Sequence, residues 1–131
     1  MPRALDNRWC ACERSTDTFI GWFGLVPTGD GDRELGYRLA RAAWGRGYAT
    51  EGSKALIEYA FTQLGASRVW AQTMTINTRS RAVMERCGLR FVRTFVRDWE
   101  PKFDGSEHGD VEYEITKAEW ERQMSEPSER S

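Results

Sequence analysis

Two glycines separated by one residue precede a helical pattern in the segment Trp44-Gly45-Arg46-Gly47-Tyr48-Ala49-Thr50-Glu51. Glycine allows a tight turn and lets the main chain approach a ligand closely. The first turn of a helix has free N–H groups and the positive end of the helix dipole, so it binds anions. The segment therefore predicts a pyrophosphate site, to which the Thr50 hydroxyl and the Arg46 charge would add. A tight strand-to-helix turn without a ligand is the alternative that the loop alone leaves open.

Two other phosphate-binding patterns do not fit this loop. A Walker A loop requires Gly-Lys-Ser or Gly-Lys-Thr after a longer spacer, and the sequence contains neither. A dinucleotide fingerprint requires a third glycine at the position where Thr50 stands. The ligand that the loop favours is thus a pyrophosphate bound outside these two motifs.

Hydrophobic periodicity predicts the elements that hold the loop. Alternating apolar residues predict a strand at Glu34–Leu39, directly before it. Apolar or small residues at every fourth position predict an amphipathic helix at Tyr48–Leu64, ended by Gly65. The other predicted elements are strands at Arg8–Glu13, Phe19–Val26, Arg68–Met74, Leu89–Trp99 and Val111–Thr116, and helices at Thr78–Arg86 and Ala118–Met124.

The order of these elements, β-β-β-α-β-α-β-β, predicts an α/β fold of the α+β kind. We expect a central twisted mixed β-sheet flanked by helices. A length of 131 residues fits one domain, which we place at 1–124 and follow with a polar tail at 125–131.

The composition excludes several classes of protein. The 19 Lys and Arg residues against 20 Asp and Glu residues give a net charge of −1, which argues against a nucleic-acid binder. No apolar run approaches the roughly 18 residues of a membrane-spanning helix. Three cysteines without an export signal indicate reduced thiols in the cytoplasm, and without further ligands Cys10 and Cys12 do not predict a metal site.

Three motifs follow one another along the chain: Glu34–Leu39 with Trp44–Glu51, Asn77–Ser80 with Val83–Phe91, and Gly109–Tyr113 with Thr116–Trp120. Together they resemble the GNAT superfamily of N-acetyltransferases. The likeness is greatest to the RimJ/RimL-like subgroup, which acetylates the N-termini of ribosomal proteins. By this resemblance the chain begins at the second strand of the family, so we expect no counterpart of the usual N-terminal strand and helices.

The resemblance implies acetyl-CoA as cosubstrate and no metal. It also implies that the strand before the loop separates from the strand Arg68–Met74, so that the cosubstrate enters between them. By the same resemblance, the pyrophosphate is held by backbone groups of Arg46, Gly47, Tyr48, Ala49 and Thr50. The pantetheine amides pair with Leu39, Ala40 and Arg41, as an added strand would. The resemblance also implies that Asn77 bonds the pantetheine arm and that Ser80 lies near the thioester sulfur.

The implied reaction is direct acetyl transfer to a primary amine, either a protein N-terminus or a small molecule. Such a transfer requires a base for the amine proton and donors for the developing oxyanion. Glu34 and Glu100 are the candidate bases, and each could equally be a solvated surface carboxylate. Many family members have a tyrosine as general acid where Met84 stands. By the resemblance, either Ser80 protonates the thiolate here or the thiolate leaves without an acid.

A non-catalytic acyl-CoA-binding or regulatory domain is the alternative, because the acceptor side of the family pattern is incomplete. The open acceptor side and the Trp-rich strands also suggest a homodimer. His108, the single histidine, is either a surface residue or part of the acceptor entrance. A group of arginines is either a solvated face or a contact for the CoA phosphate or an acidic acceptor: Arg79, Arg81, Arg86, Arg90, Arg93 and Arg97.

Overall fold

A computed structural model describes residues 3–4, 8–96 and 109–125 of the chain. Within these ranges the strands form one seven-stranded sheet in the order β1-β2-β3-β4-β5-β7-β6, and the predicted α/β class is confirmed. The strands are β1 (Arg3–Ala4), β2 (Arg8–Cys12), β3 (Phe19–Gly29), β4 (Asp32–Leu39), β5 (Arg68–Met74), β6 (Arg90–Phe95) and β7 (Asp110–Thr116). The helices are α1 (Tyr48–Thr62), α2 (Thr78–Arg86) and α3 (Lys117–Ser125).

The predicted turn between β3 and β4 is shorter than the sequence indicated. β3 continues through Pro27 to Gly29, and β4 begins at Asp32 rather than at Glu34. The chain reverses where three consecutive residues have positive φ, at 122° for Gly29, 45° for Asp30 and 86° for Gly31. Because two of these are glycines, the reversal is tight and the strands stay paired up to it.

β4 and β5 separate along most of their length. Their parallel pairing covers three residue pairs, from Asp32 with Arg68 to Glu34 with Trp70. Beyond Glu34 no pairing joins the two strands, and we call the resulting gap the splay. The splay lies at the carboxyl ends of the parallel strands, which is where ligands of open α/β sheets bind.

The hydrophobic core lies between one face of the sheet and the three helices. Ile57, Ala60 and Phe61 of α1 are buried against β3, β4 and β5, and the Phe61 ring lies 5.5 Å from that of Trp120 in α3. Val83 and Met84 of α2 belong to the same core cluster. The fold therefore positions the first turns of α1 and α2 beside the splay.

A Thr-x-x-Glu capping box begins α3, directly after β7. The Thr116 N–H donates to Glu119 Oε1 at 2.9 Å, and the Glu119 N–H donates to Thr116 Oγ1 at 3.2 Å. These bonds lower the pKa of Glu119, chiefly through the Thr116 N–H and then through Arg90. The C-terminal motif thus has a structural explanation.

Charged side chains join the strands on the sheet face opposite the helices. Arg68 contacts Asp32 at 3.0 Å, Glu112 at 2.6 Å and Glu114 at 2.5 Å. Each of the last two carboxylates also contacts a second arginine, because Glu112 binds Arg93 at 3.0 Å and Glu114 binds Arg90 at 2.5 Å. We call these residues the ion-pair network.

Candidate active site

A cleft of about 850 Å³ lies between the Gly45–Gly47 loop and the first turns of α1 and α2. A neighbouring cavity of about 240 Å³ lies between β4 and β5 and reaches Glu34. Glu100 and His108 lie outside the described residues, and Ala40, Arg41 and Arg46 are not among the residues that line the cleft. Of the predicted site residues, those lining the cleft are Leu39, Gly47, Tyr48, Ala49, Thr50, Asn77 and Ser80.

The loop leaves the N-terminus of α1 open toward the cleft. Gly45 and Gly47 have φ values of 78° and 81°, and a Cβ added to either would meet nothing within 4 Å. Gly47 is the N-cap of α1 and has no side chain to accept a hydrogen bond from the first turn. An anion in the cleft would therefore supply the acceptor that the N-terminal N–H groups lack.

The turn between β2 and β3 holds the loop from outside. Glu13 accepts a hydrogen bond from the Tyr48 hydroxyl and contacts Arg46 Nη1 at 3.5 Å. The donors Thr16 and Tyr48, followed by the Arg46 charge, lower the pKa of Glu13, and the bond to Glu13 raises the pKa of Tyr48. Arg46 is thus engaged with this carboxylate, a contact that the sequence did not indicate.

Trp44 organises the positively charged rim of the cleft. Its indole Nε1 donates to the Leu39 carbonyl at 3.1 Å. The guanidinium groups of Arg79 and Arg41 lie 4.5 and 5.3 Å from the centre of its ring. Arg86 also lines the cleft, so part of the arginine group faces a site suited to phosphates.

The remaining arginines of that group have other positions. Arg81 donates to the Tyr113 hydroxyl at 3.2 Å and to the Thr75 carbonyl at 3.0 Å, inside the fold. Arg90 and Arg93 belong to the ion-pair network, and Arg97 lies outside the described residues. The sequence cluster therefore does not form one surface.

The end of β4 presents main-chain groups to the splay. The Ala40 N–H donates to the Ile20 carbonyl on β3 at 2.8 Å. Because main-chain groups of successive residues point to opposite sides of an antiparallel strand, those of Leu39 and Tyr37 point toward β5. Leu39 is therefore better placed than Ala40 to pair with a ligand in the splay.

Asn77 caps the helix that forms the other wall of the cleft. Its Oδ1 accepts a hydrogen bond from the Ser80 N–H at 3.1 Å, so Asn77 is the N-cap of α2. This leaves the side-chain NH₂ of Asn77 as its donor toward the cleft. The cap also fixes the backbone of Ser80.

The two cavities meet at a hydrogen bond between a strand and a helix. Tyr37 Oη on β4 and Ser80 Oγ on α2 lie 3.3 Å apart, and both residues line both cavities. In the smaller cavity, Glu34 accepts a hydrogen bond from Gln72 Nε2 at 3.0 Å, across the splay. The structure thus brings Ser80 and Glu34 to one cavity and adds Tyr37, which the sequence analysis did not single out.

Two further groups lie at the inner end of the smaller cavity. Burial raises the pKa of Cys87 to about 11, and its thiol donates to the Thr50 carbonyl at 3.7 Å. Cys87 is thus a buried thiol at the end of a helix and not a nucleophile. The buried Ser53 hydroxyl has no hydrogen-bond partner among the described residues.

Two features are absent from the described ranges, 3–4, 8–96 and 109–125. No group of three or more His, Cys, Asp or Glu side chains there is arranged to hold a metal ion. No helix in those ranges is long and apolar enough to cross a membrane.

Comparison with known proteins identifies relatives of this chain. The chain is 44% identical over 119 residues to the FsC-acetyl coenzyme A-N(2)-transacetylase of Aspergillus fumigatus, a match that covers 84% of this chain and 50% of that protein. It is 35% identical over 92 residues to the putative ribosomal N-acetyltransferase YdaF of Bacillus subtilis, which covers 67% of this chain and 47% of that one. The chain spans about half the length of these curated relatives.

Solved structures share the fold. One is a dodecameric spermidine N-acetyltransferase from Vibrio cholerae, with a TM-score of 0.79 over 91% of this chain and 68% of that chain. Its sequence identity to this chain is 18%, so the match shows likeness of fold alone. An acetyltransferase from Agrobacterium tumefaciens matches 82% of this chain and 59% of its own with a TM-score of 0.65 at 28% identity. The family profile described as "Acetyltransferase (GNAT) domain" matches residues 2–90. The chain therefore belongs to the GNAT acetyltransferase family.

Proposed function

We propose that this chain transfers an acetyl group from acetyl-CoA to a primary amine. The observation that carries the proposal is the uncapped N-terminus of α1 at Gly47, which opens onto a cleft that continues into the splay. The N-terminus of α1 provides an anion site for a pyrophosphate, and the splay provides strand edges for the amides of a pantetheine arm. The family membership supports both assignments.

Different residues of the cleft would bind different parts of acetyl-CoA. The N–H groups of the first turn of α1 would hold the pyrophosphate, with Thr50 as a further donor. The Leu39 N–H and the side-chain NH₂ of Asn77 would hold the pantetheine arm. The cationic rim of Arg41, Arg79 and Arg86 favours the charge of the phosphates. Acetyl-CoA bound there supplies an activated thioester for transfer.

The smaller cavity contains the groups that the transfer requires. Glu34 accepts the proton that the amine loses on attack, either directly or through water, and Gln72 holds its carboxylate in place. Ser80 donates a proton to the sulfur as the thiolate leaves. Glu100 remains the second candidate base.

The acceptor that we propose is a small-molecule primary amine. The relative at 44% identity carries a name that specifies an N(2)-transacetylase, and it matches a larger share of this chain than does the putative ribosomal N-acetyltransferase. A protein N-terminus, which membership of the RimJ/RimL-like subgroup would favour, is the second acceptor class. We also propose a cytoplasmic location, because the three cysteines are free and an odd number of free thiols favours a reducing compartment.

Thermal unfolding with and without millimolar acetyl-CoA, followed by a thiol-release assay over mixed amines and peptides, tests the proposal. A higher melting temperature together with thiol release would support an acetyltransferase. A higher melting temperature without release would favour a non-catalytic acyl-CoA-binding domain, which Met84 at the position of the usual tyrosine acid also suggests. No rise in melting temperature would contradict the cofactor site.

Ser80→Ala separates catalysis from binding within this assay. We expect turnover to fall by about tenfold or more while the affinity for acetyl-CoA changes less than about twofold, because general acid catalysis contributes on this scale. Ser125→Ala, whose hydroxyl contacts the Arg122 carbonyl at the end of α3, is the matched control. Unchanged turnover in Ser80→Ala would remove the proposed role of Ser80.

We further propose a homodimer that uses the outer face of β3. Three large apolar side chains are exposed there, because Phe19, Trp22 and Val26 have exposed fractions of 47%, 39% and 43%. Light scattering at micromolar concentration tests this, and a monomer would contradict it.

A further inference from the structure

We propose that Tyr37 supplies the proton that Ser80 donates to the departing thiolate, so that a strand residue takes over the acid role that the family usually places on the second helix. This inference rests on the proposed acetyltransferase function. It assigns to Tyr37 the role of a positioning and relay residue, which acts on the sulfur through Ser80.

The position of Tyr37 carries the inference. Its hydroxyl lies 3.3 Å from Ser80 Oγ, and this contact joins β4 to α2 where the larger cleft meets the smaller cavity. The Tyr37 ring lies 5.9 Å from that of Phe23, a buried core residue. The ring is therefore supported on its inner side, and its hydroxyl is directed at the helix that bears Ser80.

No other tyrosine hydroxyl is placed to do this work. The sequence has four tyrosines, all within the described residues. Tyr48 donates to Glu13, and Tyr113 donates to Glu85 at 3.0 Å while it accepts from Arg81. Tyr59 lies on the far side of α1, against the ring of Trp9.

The groups beside the cavity cannot replace Tyr37. Met84 is buried and has no proton to give. The Cys87 thiol donates to the Thr50 carbonyl, and burial raises its pKa to about 11. Tyr37, by contrast, has a hydroxyl that contacts Ser80 Oγ.

The chemistry explains why a serine needs such a neighbour. A serine hydroxyl is a very weak acid, whereas a tyrosine has a pKa of about 10, closer to the value of about 8.5 for a simple thiol. As the C–S bond breaks, its electron pair goes to sulfur. Ser80 gives its proton to the sulfur and takes the proton of Tyr37. The tyrosinate then regains a proton from water, and the proton lost by the amine leaves through Glu34 or water, so the protons balance.

The pKa of the thiol of bound CoA tests the relay without knowledge of the acceptor. It can be measured from the ultraviolet absorbance of the thiolate during a pH titration of the CoA complex. We expect this pKa to be higher in Tyr37→Phe than in the natural protein, by roughly half a unit to one unit, because a hydrogen-bond chain that ends on the sulfur stabilises the thiolate. Tyr59→Phe, which removes a tyrosine hydroxyl outside both cavities, should leave it unchanged.

The combination of two substitutions distinguishes a relay from an independent effect. In a Ser80→Ala background, Tyr37→Phe should produce no further change in the thiol pKa, because the relay passes through the serine. An unchanged thiol pKa in Tyr37→Phe with full CoA binding would overturn the proposal. An equal shift with and without Ser80 would also overturn it.

Two controls separate this outcome from failure of the proposed function. If CoA does not raise the melting temperature of the natural protein, the cofactor site itself is refuted and the relay with it. Tyr37→Phe keeps the ring that contacts Phe23, and its melting temperature reports whether the fold is intact. Should that variant not fold, Tyr37→Gln serves instead, because an amide donates a hydrogen bond but gives up no proton. A thiol pKa equal to that of the natural protein would then overturn the relay, whereas a raised value would support it.

Discussion

The two faces of the sheet differ in whether their polar groups are paired within the protein. On the helix-covered side, Gly47 leaves the first turn of α1 without a side-chain cap, and Asn77 has an amide group directed at an open cleft. On the other face, Arg68 contacts three carboxylates, of which Glu112 and Glu114 each contact a second arginine. In the cleft, polar groups are positioned to bind a ligand. In the ion-pair network, charged side chains bind one another and join the strands.

This difference indicates what substitutions on each side should do. Changes in the cleft should alter ligand binding with little effect on folding, since few protein contacts are lost there. Changes in the ion-pair network should alter the free energy of unfolding with little effect on binding. The following predictions test this separation, beginning with the largest expected effect.

Gly47→Glu should reduce the affinity for acetyl-CoA by at least about 100-fold. The new side chain would enter the open space beside the N-terminus of α1, and its carboxylate would occupy the anion site and repel the pyrophosphate. Isothermal titration measures the effect. Gly29→Glu is the matched control, because Gly29 also has a positive φ and free space but lies in the turn between β3 and β4. Retained affinity in Gly47→Glu would refute our placement of the phosphate site.

Arg68→Ala should lower the free energy of unfolding by roughly 2–3 kcal/mol. It removes three ion pairs and leaves Glu112 and Glu114, whose side chains are only 10% and 14% exposed, with one partner each. Arg90→Ala removes two ion pairs from a side chain that is 54% exposed, so we expect a smaller loss than in Arg68→Ala. Urea unfolding measures both, and equal losses would contradict the role given to burial.

Ser53→Ala should raise the free energy of unfolding by about 1 kcal/mol. The Ser53 hydroxyl is buried without a hydrogen-bond partner among the described residues, so its removal ends a desolvation cost and leaves almost no void. Alanine also favours a helix interior. Urea unfolding with the affinity for CoA measured in parallel tests this. A loss of stability would mean that the hydroxyl has a partner that we have not recognised.

Most of the fold could be predicted from the sequence because its signals are local. Alternation and four-residue periodicity gave β4, β5, α1 and α2 to within two residues. The turn between β3 and β4 was overestimated because composition does not tell which of its polar and glycine residues remain paired. The separation of β4 from β5 entered through family resemblance, since strand patterns alone do not show where pairing stops.

The site could be predicted only in its local parts. The glycine loop and the following helix form one continuous segment, so their chemistry is visible in the sequence. The partners of that segment are distant, because Glu13 precedes Tyr48 by 35 positions and Tyr37 precedes Ser80 by 43. Tyr37 stands in an apolar alternation that is typical of the core, and no local signal distinguishes a core tyrosine from one whose hydroxyl reaches a cavity.

The short parallel pairing between β4 and β5 has a mechanical consequence. In the described sheet, three residue pairs join an antiparallel half made of β1 to β4 to a second half made of β5, β7 and β6. A sheet joined over so short a length resists bending poorly at that line. A ligand arm that is hydrogen-bonded to both edges of the splay would limit the motion of β4 relative to β5. The rigidity of the whole sheet would then depend on whether the splay is filled.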